Sequence, residues 1–81
     1  MTKISGSAIV KAKFDAKKYA RLLAESLPAV IETEEENGRL VGVAQQLIKK
    51  GLDRTPEETR LLKLLSHLIQ EFEERFYKPR A

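Results

Sequence analysis

The chain contains no cysteine. That absence excludes a zinc ribbon, thiol catalysis and a disulfide framework, and it suits a reducing compartment. Long apolar runs are missing as well. No stretch approaches the roughly 18 consecutive apolar residues that a membrane span needs. The N-terminus lacks a continuous apolar core followed by a small-residue cleavage site, so no signal peptide is expected and the cytoplasm is the expected location. Glycine is scarce, with four residues scattered along the chain, and no phosphate-cradling loop is formed by them. His67 is the only histidine. Glu71 and Glu74 fall near it at helical spacing, but a metal site needs about four ligands. Ser5, Ser7, Ser26 and Ser66 have no histidine at a spacing that would make it their base. No repeat of solenoid period occurs. Together these absences point to a protein that is not an enzyme, with no cofactor and no metal.

What is present is charge, unevenly spread. The net charge is +3. Residues 1–21 carry six basic side chains against Asp15 alone, whereas residues 22–36 carry five glutamates and no basic residue. A basic arm of this kind meets nucleic acid or an acidic protein face, or is simply solvated. Lys11, Lys13, Lys17, Lys18 and Arg21 are the candidate nucleic-acid contacts. With 81 residues the chain is one domain, of a size where a single core barely outweighs conformational entropy. Binding to a partner or a second copy would add stability.

Residues 1–14 read as a flexible or extended arm. Within it Val10, Ala12 and Phe14 alternate with Lys11 and Lys13, the period of a half-buried strand. No second strand pattern follows. A lone strand must pair with a copy of itself, add to a partner's sheet, or not form.

The remainder, 15–81, reads as a helical interaction domain. Asp15 is a candidate N-cap for a first helix over 16–26, with Tyr19, Leu22 and Leu23 on one face and Pro28 beyond its end. Val30 and Ile31 are expected in the core. Thr33-Glu34-Glu35-Glu36 and Thr55-Pro56-Glu57-Glu58 each place a threonine three residues before a glutamate, the capping-box pattern of a helix start. Pro56 suits the first helical position, where no N–H is needed. The second helix is expected over 34–50, with Leu40, Val43, Ala44, Leu47 and Ile48 as its apolar stripe. Gly51 is expected to end it, with Leu52 folding back on Leu47. Gly38 and Gly42, four apart, would let another backbone approach closely. The third helix is expected from Pro56 to about Tyr77. Leu61, Leu62, Leu65, Leu68, Ile69, Phe72 and Phe76 give it more apolar width than one facing helix covers. The short connection makes the last two helices antiparallel neighbours. The expected fold is therefore all-α: a small three-helix domain, an antiparallel hairpin plus a shorter helix, carrying a short extended N-terminal arm.

The carboxylate clusters have structural explanations. Glu34, Glu35 and Glu36 suit the positive pole of a helix, and Glu71 and Glu74 pair at i+4 with Arg75 and Lys78. The third helix, long and leucine-rich, does not resemble a DNA recognition helix. Tyr19, Phe72, Phe76 and Tyr77 are the candidate partner anchors, because aromatic residues dominate interface energetics; the alternative is that they are core.

Three segments occur in one order. They are Tyr19-x-x-Leu-Leu-x-x-x-Leu-Pro-x-Val-Ile-x-Thr-Glu-Glu-Glu-Asn, then Leu52-Asp53-x-Thr-Pro-Glu-Glu, then Leu64-Leu65-x-x-Leu-Ile-x-Glu-Phe-Glu-Glu-Arg-Phe-Tyr. Over about residues 14–79 the chain resembles the N-terminal helical region of HigA-type antitoxins, a family of helix-turn-helix regulators. The resemblance implies contact with a small ribonuclease toxin of the HigB type and self-association, the expected partners being that toxin and a second copy in a homodimer. The family's DNA-binding domain would begin where this sequence stops, so operator binding is not implied. Two other functions fit the residues alone: a self-associating structural protein without a toxin, and a nucleic-acid-binding accessory protein working through its basic arm.

Overall fold

The computed structural model describes residues 14–76. They form three helices: α1, Ala16–Ser26; α2, Glu34–Lys50; and α3, Pro56–Phe76. A single 3-10 turn, Gly51–Asp53, links α2 to α3. No strand occurs among the described residues. The fold is a small all-α, three-helix domain. Val10, Ala12, Lys11, Lys13 and Tyr77 lie outside the described residues, as does the rest of the arm before Phe14. Phe14 itself is not in a strand. It packs on Tyr19, with ring centroids 5.4 Å apart, and lies beneath the Arg60 guanidinium at 4.3 Å.

Each helix starts where a side chain satisfies its free N–H groups. The Asp15 carboxylate accepts from the N–H groups of Lys17 and Lys18, at 3.0 and 3.3 Å. Thr33 Oγ1 accepts from Glu36 N–H at 3.1 Å. The Glu36 carboxylate reaches one residue past the cap, accepting from Glu32 N–H at 2.9 Å. Thr55 and Glu58 complete a reciprocal box, with bonds of 3.0 and 3.1 Å. Capping of this kind contributes about 1 kcal/mol per helix start.

α3 is the spine. α2 runs antiparallel to it, tied at one end by Lys50 to Glu58 at 2.7 Å and at the other by Arg75 to the Ile31 carbonyl at 2.7 Å. α1 also leans on α3, and the two begin side by side. Ile31, Leu40, Ala44, Leu47, Leu61, Leu65 and Phe72 form the core, with Tyr19, Leu22, Leu23 and Val43 packed around it. Arginines close the connections. Arg39 donates to the Ser26 and Leu27 carbonyls, at 2.6 and 3.3 Å, at the end of α1. Arg54 donates to the Leu47 carbonyl at 3.0 Å, near the end of α2. Each thus satisfies carbonyls that a helix end leaves without an internal partner.

Three local expectations are corrected. Ile31 is core, but Val30 is 55% exposed, because the connection turns one side chain of the pair inward and the other out. Leu52 does not fold back on Leu47. Gly51 instead opens the 3-10 turn, its N–H bonded to the Ile48 carbonyl, and Leu52 projects fully into solvent. Ile48 lies at the edge of the α2 stripe and is 58% exposed. The left-handed helix cap occurs elsewhere, at Leu27, with φ 46° and its N–H on the Leu23 carbonyl. A branched side chain costs about 1–2 kcal/mol in that conformation. Glycine removes this strain but adds unfolded-state entropy. Leu27→Gly is therefore expected to leave the urea midpoint unchanged or raise it, whereas Leu27→Val lowers it.

Candidate functional site

The three candidate anchors among the described residues separate. Phe72 is in the core, 1% exposed. Tyr19 is half-buried under Phe14. Phe76 is 51% exposed, stacked on Phe72 with centroids 4.5 Å apart and flanked by Arg75 at 5.0 Å. Phe72 thus supports the aromatic side chain that solvent reaches.

The topology gathers charge at the two ends of the molecule. The start of α2, the loop before it and the end of α3 share one end, as the Arg75–Ile31 bond shows. Among the described residues that end carries Glu32, Glu34, Glu35, Glu36, Glu71, Glu73 and Glu74, against Arg39 and Arg75. Arg75 is already held by Glu71 at 2.7 Å. Val30 and Phe76, each more than half exposed, belong to the same end, Val30 through its neighbour Ile31, whose carbonyl holds Arg75. The opposite end holds the starts of α1 and α3 and the end of α2. It carries Lys17, Lys18, Lys49, Lys50, Arg54 and Arg60 against Asp15, Asp53, Glu57 and Glu58. The acidic starts of α2 and α3, alike in sequence, are therefore on opposite ends.

Helix stability explains Glu34, Glu35 and Glu36, which lie at the positive pole of α2, and Glu71, which pairs with Arg75, but not Glu73 and Glu74. Glu73 and Glu74 sit in the last turn of α3, the negative pole of its dipole. An acidic side chain there costs about 0.3–1 kcal/mol. Glu74 accepts from Gln70 at 3.2 Å, which offsets part of this. Exposed Phe76 beside them adds an apolar surface that folding has not covered.

At the basic end, Lys17, Lys18 and Arg21 lie on the exposed face of α1. Lys17 and Lys18 share a cleft with Asp15, Thr55 and Glu57, so two carboxylates face any anion that enters. Glu57 is almost fully buried, 3% exposed. Its carboxylate accepts from the Asp15 backbone N–H, a bond between residues 42 apart in sequence. That bond holds its carboxyl below the ordinary value of 4.5; burial opposes the shift, while its own N–H, the Thr55 hydroxyl and the Lys18 charge reinforce it. Glu57 is thus a clamp between the starts of α1 and α3. Sequence gave it only a helix-start role, and nothing local signals the tertiary bond.

No three His, Cys, Asp or Glu side chains among the described residues are grouped to hold a metal ion. No described helix is long and apolar enough to cross a membrane. No family model matches the chain, and no curated protein or solved structure matches it.

Proposed function

We propose that the chain is an antitoxin-like interaction module whose acidic end binds a small basic protein, a ribonuclease toxin of the HigB type. The observation that carries this is the placement of Glu73 and Glu74 at the negative pole of α3 beside exposed Phe76 and Val30. Both the charge and the exposure cost stability, and a basic partner with an apolar pocket compensates both. The ordered resemblance to HigA-type antitoxins supplies the partner class. Its threonine–glutamate segments double as helix caps, so the more specific part is the closing Glu-Phe-Glu-Glu-Arg-Phe run that forms this end. A ribonuclease holds an anionic backbone with basic side chains, and an acidic protein surface competes for them.

Co-expression with the product of the adjacent gene tests this. A small basic partner is expected to co-purify and to dissociate as salt screens the contact. Glu73→Lys with Glu74→Lys is expected to weaken that complex at least tenfold while raising the melting temperature of the free chain, because cations suit a helix C-terminus. A complex unaffected by both substitutions would overturn the assignment of the surface. A neighbour that neither binds nor is neutralised would overturn the function.

A further inference from the structure

α2 covers α3 on one side only, and between them lies an open groove. Val41, Ala44, Ile48 and Ile69 supply its apolar wall, and Gln45 and Gln70 its rim. Beside the groove, Gly38 and Gly42 have nothing among the described residues within 4 Å of the point a Cβ would occupy. A second backbone can therefore come close along this stripe. We propose that this face of α2 receives the same face of a second copy, the two α2 helices running antiparallel about a two-fold axis near Gly42.

Charge selects both the occupant and its direction. Glu35 and Lys49 are exposed and equally distant in sequence from Gly42. An antiparallel pair sets Glu35 of each copy against Lys49 of the other. A parallel pair sets like charge on like, which is repulsive. The same arrangement lays the acidic end of each molecule beside the basic end of its mate, so the polarity of the whole domain favours it. The contact is isologous and closes as a dimer. It does not use Val30 or Phe76, although Glu73 lines the groove; the cross-link at Gly42 needs no toxin and so tests it separately from toxin binding.

The absence of cysteine makes the test clean. Gly42→Cys has open space around its side chain and replaces a poor helix former with a better one, so it folds. Under copper–phenanthroline oxidation it is expected to give a covalent dimer. In the same geometry the two copies of Glu35→Cys are about 21 Å apart along the axis, at 1.5 Å per residue, beyond disulfide reach, and stay monomeric. Sedimentation of the unmodified chain is expected to show a dimer. Glu35→Lys and Lys49→Glu are each expected to weaken it several-fold, and the double exchange to restore it. A monomer at every concentration, Gly42→Cys that fails to cross-link, Glu35→Cys that cross-links equally well, or a double exchange that restores nothing would each overturn the proposal.

Discussion

Phe72→Ala is expected to abolish cooperative unfolding, or to leave so little stability that much of the chain is unfolded in buffer. Phe72 is 1% exposed and belongs to the cluster of Ile31, Leu40, Ala44, Leu47, Leu61 and Leu65 that joins α2 and its preceding loop to α3. Truncating a buried phenylalanine costs about 3–5 kcal/mol, from lost transfer free energy and from the cavity left behind. A core in a chain of this size rarely supplies more than about 3–5 kcal/mol in total. The two quantities are equal, so the substitution removes nearly the whole margin. Phe76→Ala, four residues on and half exposed, is expected to cost less than about 1.5 kcal/mol, because its cavity opens to solvent. Urea melts followed by far-ultraviolet circular dichroism separate the two. Equal losses for both would show that the core does not close on Phe72.

Glu57→Gln is expected to be the most destabilising substitution of any acidic residue, and to flatten the dependence of stability on pH. The Asp15 N–H bond lowers the carboxyl of Glu57. The Lys50 ammonium, then the Thr55 N–H, lower that of Glu58. For a group whose folded value lies below its unfolded one, stabilisation is complete above the unfolded value. It is lost as pH falls through the folded value, where the folded state too takes up the proton. The wild-type chain should therefore be most stable from about neutral pH down to the ordinary value of 4.5, then weaken with further acidification. Glutamine keeps the shape and an acceptor but removes the charge. The Glu57→Gln chain should start lower at neutral pH and lose less on acidification, the residual loss coming from Glu58. Because Glu57 joins α1 to α3, the loss should be greatest for α1, read as faster amide exchange at its backbone. A variant as stable and as pH-sensitive as wild type would remove the clamp from the account.

What the sequence disclosed was local. Asp15, Thr33 and Thr55 marked the helix starts because a cap acts within three residues, and Pro56 and Gly51 acted within one. Long-range relations were less visible. Glu57 read as one more acidic residue at a helix start, since its bond to Asp15 spans the length of α1, α2 and both connections. The stripe of α2 was readable from its spacing, yet periodicity does not say how much of a stripe its neighbours cover, so Ile48 was placed inside. Val30 and Ile31 read as one apolar pair, and only the path of the loop divides them. The acidic end was hidden for the same reason: Glu34–Glu36 and Glu71–Glu74 are far apart in sequence, and the antiparallel turn of α2 onto α3 brings them together. Leu27 gave no sign of its left-handed conformation, because a leucine before proline carries no local signal for it.

The central claim is that the acidic, apolar end of the domain is a docking surface for a basic protein. Amide chemical-shift mapping tests it most directly, with the isotope-labelled chain titrated by the basic product of the adjacent gene. The expected result is a set of shifts confined to the loop 27–33, the first turn of α2 and the last turn of α3, centred on Phe76 and lost in the Glu73→Lys, Glu74→Lys chain. Shifts centred instead on Lys17, Lys18 and Arg21, or none at all, would contradict it.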